Sequence, residues 1–235
     1  MSDPRRLYHF VGDKYGLENI TNRHLKLAFS DQVNDLFELM PFDFGEGRSG
    51  RKLRSAWKQS IKTHALSQGF IAFSEKWCVP TMWAHYANNH KGICLGFDLP
   101  KRLKRGAVGE KIEYVRELCR MEQKVTEDTA YNAEMVKYAR KTKSIHWQYE
   151  EEWRYWFSLT KSEKSEKSAD PRKVFFTPFN DDLVLKEVVF GHRSELRQEK
   201  IKEILESSEG IKFTTARPSF REFAMVPQNR KDMQK

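Results

Sequence analysis

The stretch Gly69–Asp98, GFIAFSEKWCVPTMWAHYANNHKGICLGFD, constrains the fold more than any other. It begins as a short apolar strand, Phe70-Ile71-Ala72-Phe73, and ends as another, Ile93-Cys94-Leu95-Gly96-Phe97. Between them stand Trp77, Trp83, Tyr86, His85 and His90. A connector that only joins two strands is short and polar. This one is long and aromatic, and such segments carry function when a scaffold holds them at strand ends. The competing expectation is a helix on a sheet, with Trp83 and Tyr86 as core.

Lys and Arg outnumber Asp and Glu by 42 to 33, a net charge of +9. That excess favours anionic partners, whether nucleic acid, nucleotide or phosphate, without choosing among them. Lys101-Arg102-Leu103-Lys104-Arg105 is the dense cluster. Cys78, Cys94 and Cys119 form no Cys-x-x-Cys pair, which argues against a zinc ribbon. The first residues hold no apolar signal core, and no run of ~18 apolar residues occurs. A cytoplasmic protein with reduced thiols and no membrane partner is expected.

In order, Leu7-Tyr8-His9-Phe10 reads as a first strand, with Tyr8 and Phe10 on one face and Leu7 and His9 on the other. Leu17, Ile20 and His24 suggest a short helix, and Leu25–Ser30 a strand. Asp31 is placed to cap a helix Gln32–Met40 with Val33, Leu36, Phe37 and Met40 as its apolar stripe. Gly45 to Gly50 spells G-x-G-x-x-G, but Pro41–Phe44 is no buried strand and no acid stands twenty residues on, so a glycine-arginine loop is expected. A helix follows with Leu53, Trp57, Ile61 and Ala65 spaced by four. Pro100–Arg105 suggests a basic helical turn, Lys111–Val115 a strand, and Glu117–Lys143 one or two helices. Lys161–Lys173 reads as a charged loop. Strands follow at Glu152–Ser158, Val174–Thr177, Leu185–Phe190, Ile211–Thr215 and Phe220–Val226, with a helix Glu195–Ser207. The prediction is one α+β domain over 1–227, a largely antiparallel split sheet with flanking helices, and a frayed tail over 228–235.

Glu150-Glu151-Glu152 is the second stretch with chemical promise. In a strand Glu150 and Glu152 share one face and Glu151 takes the other. Two carboxylates on one face repel when both ionise, and burial raises the pKa of at least one. Such a pair suits polarising a sugar hydroxyl or holding a cation. The alternative is a solvated strand edge with Glu152 paired to Arg154 or a nearby Lys. His9 on the first strand is either a core residue or a catalyst, and Ser74 at a strand end is either a turn residue or a ligand. No H-E-x-x-H, G-x-S-x-G or Walker lysine string occurs.

These blocks, together with Asn34-Asp35-Leu36-Phe37-Glu38, Phe73-Ser74-Glu75, Met82–Tyr86, His90–Asp98 and Glu150–Arg154, resemble the bacterial domain-of-unknown-function family 2971, from about Leu7 to about Gly191. The layout is also similar in order and residue type to ADP-ribosyltransferases. That resemblance implies an NAD-using transferase or NAD glycohydrolase, a toxin or phage-defence effector, with NAD as substrate and no metal. It implies Glu152, Glu150 and His9 as catalytic residues and His9, Ser74, Trp83 and Tyr86 as the NAD-binding set. Against it stand a non-catalytic nucleic-acid-binding module with a basic, aromatic groove, and a metal-dependent nuclease using Glu150, Glu152 and Asp98.

Overall fold

The computed structural model describes residues 4–30, 33–65, 67–104, 106–159 and 175–235. The chain runs β1 (Arg5–Val11), α1 (Asp13–Thr21), β2 (His24–Lys26), β3 (Phe42–Asp43), α2 (Gly47–Ala65), β4 (Gln68–Ser74), α3 (Pro80–Tyr86) and β5 (Ile93–Leu99). It continues through β6 (Gly109–Lys111), β7 (Glu113–Val115), β8 (Cys119–Arg120), α4 (Thr129–Lys141), β9 (Thr142–Ser144) and β10 (Glu152–Ser158). Then come β11 (Phe176–Pro178), β12 (Val184–Phe190), α5 (Gln198–Leu205), β13 (Lys212–Pro218) and β14 (Met225–Pro227). Eight strands form one sheet in the order β14-β13-β12-β5-β1-β4-β10-β6. All neighbours are antiparallel except β12 and β13, whose connection contains α5. The architecture is therefore α+β with a mostly antiparallel sheet.

The sheet consists of two ladders that barely meet. β1 pairs with β5 from Arg5↔Leu99 to Val11↔Ile93, and β4 with β10 from Ser74↔Glu152 to Gln68↔Ser158. Between β1 and β4 the register holds only Tyr8↔Ser74. Beyond that pair the edge of β4 finds other partners, as buried backbone groups must. Phe70 exchanges both backbone bonds with Ala28 at 2.8 and 2.9 Å, and the carbonyl of Ala72 receives the His9 imidazole at 3.0 Å.

Alternation along the strands sorts the core as period two requires. Leu7, Val11, Ile71, Phe73, Leu95, Phe97, Tyr155 and Phe157 pack with Ile20 of α1 and Ile201 of α5 on one face. The opposite face carries two separate clusters. Trp57 of α2 and Met135 of α4 join Phe70 and Trp156, while Met82 and Trp83 of α3 join Phe10, Cys94 and Val189. A gap in the core thus lies above the place where the ladders part.

α2 buries Leu53 and Trp57 and sends Arg48, Arg51, Lys52, Arg54, Lys58 and Lys62 into solvent. The pairs Arg48/Lys52, Arg54/Lys58 and Lys58/Lys62 are like charges one turn apart, each costing about 0.2–0.5 kcal/mol. The helix is held by its inner face, where Trp57 Nε1 donates to the Leu39 carbonyl at 2.9 Å. The glycine string before it is a packing device. A Cβ on Gly50 would stand 2.1 Å from the Gly45 carbonyl oxygen, and Gly45 and Gly47 take φ of +72° and +68°. Gly47 begins the helix, so the string is half loop and half helix.

Several expectations need correction. Val33–Met40 is a run of turns. Leu36 and Phe37 of the expected stripe are 94% and 58% exposed. Asp35 Oδ1 accepts the Phe37 amide at 2.9 Å and Leu39 sits at φ +56°, geometry that a helix excludes. The segment from Pro100 to Lys104 is not helical, and His24 begins β2 instead of ending a helix. Phe220 lies in an exposed loop before β14. The terminal residues return to the sheet, with the Gln228 amide on the Thr215 carbonyl and the Lys235 amide on Thr215 Oγ1. Asp31, Gln32, Arg105, Lys161–Lys173 and Val174 lie outside the described residues.

Candidate functional site

Where β1 and β4 part, a cleft of about 390 Å³ opens, a size that suits a small ligand. Its walls include His9 of β1, Ser74 of β4, Tyr86 of α3, Glu150 just before β10 and Glu152 at its start. Five of the six residues singled out in the sequence therefore line one hollow, drawn from four separate stretches. Trp83 does not. It is fully buried, stands edge-on to Phe10 at 5.2 Å and donates Nε1 to the Trp77 carbonyl at 2.6 Å. Its ring is core and offers no face to a ligand. The aromatic surface near the cleft comes instead from Tyr86, exposed His85 and the half-buried Trp147 and Tyr149, with His85 and Tyr149 stacked at 6.2 Å.

The acidic triplet reaches the cleft by a backbone other than a plain strand. Ile145–Glu150 is a 3-10 helix, Glu151 takes the left-handed conformation at φ +42°, and β10 begins only at Glu152. The left-handed residue turns Glu151 outward to Lys76, 2.6 Å away, and leaves its two neighbours on the cleft side.

Glu152 is buried and fully engaged. Arg154, two residues along and on the same strand face, donates Nε to Oε1 at 2.6 Å and Nη2 to Oε2 at 3.0 Å. The same guanidinium reaches Glu38 at 2.5 and 2.9 Å and lies over the Phe70 ring. Burial pushes the Glu152 carboxyl up, but the charges of Arg154 and Lys143 outweigh it and hold the group below its ordinary value.

Glu150 sits differently. Its Oε1 accepts the Tyr86 hydroxyl and its Oε2 accepts Lys143 Nζ at 2.5 Å. Lys143 is shared, since it also lies 3.5 Å from Glu152. Burial and the neighbouring Glu152 charge raise the Glu150 carboxyl above the usual carboxylate range, with Lys143 and Tyr86 only partly opposing them. Two carboxyls close together are thus pushed in opposite directions, the pattern that separates a permanent anion from an acid–base group.

His9 donates Nδ1–H to Ala72, so in its neutral form Nε2 keeps a free lone pair. Burial lowers its pKa and favours that neutral ring. Ser74 is tied locally, its hydroxyl donating to the Lys76 carbonyl at 3.0 Å. Asn34 Nδ2 donates to the Tyr86 oxygen at 3.2 Å and fixes the phenol from the loop side.

Around the cleft three carboxylates, Glu38, Glu150 and Glu152, face one guanidinium and one ammonium. With all of them ionised the lining carries a surplus negative charge. Sequence reading missed Glu38, Lys143 and Asn34 as site residues. Asn34 and Glu38 stood in a block that carried the family resemblance, and Arg154 carried a signal as a cation two places from Glu152 on the same strand face.

Fold and cleft together define an α+β protein with a paired-carboxyl hollow set into a split sheet. Residues 82–155 match the model of a family described as a protein of unknown function, DUF2971. The matched segment begins at Met82 and contains Tyr86, Lys143, Glu150, Glu152 and Arg154, but not His9, Glu38 or Ser74. No curated protein and no solved structure matches the chain.

Proposed function

We propose that the cleft is the active site of an NAD-cleaving enzyme, an ADP-ribosyltransferase or NAD glycohydrolase. The observation that carries this reading is the meeting of His9, Tyr86 and the Glu150/Glu152 pair around one hollow at the divergence of two sheet halves. The surplus negative charge adds to it. The nicotinamide ring of NAD is cationic, and cleavage of its bond to ribose leaves a cation-like centre at C1′. A preorganised anion aimed at that centre stabilises charge that grows in the transition state.

Within this reading Glu150 is the working carboxylate. The C1′–N bond breaks, its electron pair leaves with neutral nicotinamide, and an acceptor hydroxyl or water attacks C1′. Glu150 takes the proton from that oxygen, for which a raised pKa is apt. Glu152, which shares Arg154 with Glu38, holds Lys143 in place, and the two acids together leave the Glu150 environment negative. His9 Nε2 offers an acceptor to a ribose hydroxyl. Both cations of the lining are engaged with carboxylates, so the hollow suits the nicotinamide–ribose end of NAD better than its pyrophosphate.

The test is incubation of the full chain with NAD, following nicotinamide release by chromatography, for wild type and Glu150→Gln. Wild type releases nicotinamide, and the variant loses at least a hundredfold in rate at a temperature where circular dichroism shows both proteins folded. Equal rates in both, or no release by either with water, protein and nucleic-acid acceptors present, overturn the proposal.

A further inference from the structure

The exposed face of α2 has no part in the cleft, yet its charge is of one sign from end to end. Arg48, Arg51, Lys52, Lys58 and Lys62 point away from Leu53 and Trp57, Arg54 lies on the flank, and all six are exposed. No Asp or Glu occurs from Gly47 to Gln68. None of the six makes an ion pair among the described residues. Some exposed cations elsewhere do find partners: Arg120 bonds Asp43 at 2.6 Å, and in α5 Lys200 meets Glu203 at 3.3 Å. A helix face that serves only solubility mixes its signs. This one accumulates one sign against self-repulsion.

We propose that this face of α2 is a docking surface for nucleic acid. A helix of 19 residues is about 28 Å long. That length presents its cations as a broad, rigid band to a polymer with regularly spaced phosphates. Arg48, Arg51 and Arg54 recur every third residue, and their planar forks match phosphate oxygens. An anionic membrane is the rival surface. A helix that lies on lipid needs apolar side chains to sink into it. Here Leu53 and Trp57 are buried under the helix, and Ala56 and Ile61 are already partly covered. The outward face is left with cations and polar side chains alone, which suits phosphates held in water.

The Lys101–Lys104 cluster is a weaker candidate because its charge is partly met. Lys104 Nζ lies 3.0 Å from Asp181, and its backbone amide donates to Asp182. That difference supplies the control.

The experiment measures fluorescence anisotropy of a labelled 20-base-pair DNA duplex and of an RNA duplex of the same sequence, titrated with the full chain at 50 and 150 mM NaCl. At least one duplex binds, and its affinity falls steeply with salt. Joint reversal of Arg51, Arg54 and Lys58 to Glu weakens binding at least tenfold at 50 mM NaCl. It also flattens the salt slope by about 0.9 for each phosphate that is no longer neutralised. The melting temperature holds, because all three side chains are exposed. Lys104→Ala, which removes a cation already met by Asp181, leaves affinity within about twofold, as expected for a site that carries little counterion-release term. The proposal is overturned if neither duplex binds at 50 mM NaCl, if the triple variant binds as wild type, or if the chain binds only phosphatidylserine–phosphatidylcholine vesicles.

Discussion

Replacing Arg154 by Met removes a cation that two buried carboxylates share. The side chains of Arg154, Glu38 and Glu152 are 2%, 4% and 6% exposed, and the guanidinium makes four bonds to the two acids. Met fills much of the volume but supplies no donor. Breaking a buried pair from one side typically costs about 3–5 kcal/mol. For a chain of this size that lowers the melting temperature by roughly 6–20 °C. The pH dependence has a definite sign. In wild type the Glu152 pKa lies below its ordinary 4.5, so its contribution is present above about 4.5 and lost as pH falls through the lowered value. In the variant burial acts without Arg154 and pushes the group up instead. Stability then falls as pH rises through the new value. The deficit of the variant is therefore largest at pH 7.5 and shrinks toward pH 5. Urea unfolding of both proteins at pH 5.0, 6.0 and 7.5, read by tryptophan fluorescence, measures it. A loss under about 1 kcal/mol at pH 7.5, or a deficit that does not change with pH, refutes the account of Arg154 as the charge that makes this burial tolerable.

Two further substitutions separate core from surface. Trp83→Ala costs about 3–5 kcal/mol in denaturant unfolding, because a fully buried indole leaves a cavity and takes its bond to Trp77 with it, while ligand affinity of the folded fraction stays within a few-fold. Leu36→Ser changes stability by less than about 0.5 kcal/mol, since the side chain is 94% exposed; a loss above 2 kcal/mol restores the amphipathic helix that the spacing suggested.

The strands that frame the cleft were legible because alternation is a local property. Phe70–Phe73 and Ile93–Phe97 carry it in a few residues, and the facing of Tyr8 against Leu7 follows from period two alone. The pairing of Glu150 with Glu152 was also legible by residue type, although the left-handed Glu151 was not. Val33–Met40 shows where local reading fails. Its apolar spacing fits a helix, yet Glu38 is bound to Arg154 across 116 residues and the Leu39 carbonyl to Trp57. Those long-range bonds, with Leu39 left-handed, outweigh a weak helical preference. Trp83 and Tyr86 fall three apart on α3, but only the phenol faces the hollow. The spacing of an aromatic pair does not say which member the sheet will cover.

The divergence of β1 from β4 and the buried charges belong to one physical problem. Parting two strands in the middle of a sheet strands backbone groups that need partners. Ala28 and the His9 imidazole meet that need at Phe70 and Ala72. The space above could have been closed with apolar side chains, as the clusters on either side are. Replacing a buried ionic array by well-packed hydrophobic residues is often neutral or stabilising. Stability alone therefore gives little reason for Glu38, Arg154, Glu152, Lys143 and Glu150 to occupy it, and less for one carboxylate more than the cations can match. The array does hold Glu150 in a fixed place, between Tyr86 and Lys143, with its carboxyl raised above the usual range by burial and by Glu152. A group so placed is what the proposed NAD cleavage needs, and the extra negative charge suits the positive centre which that proposed reaction develops.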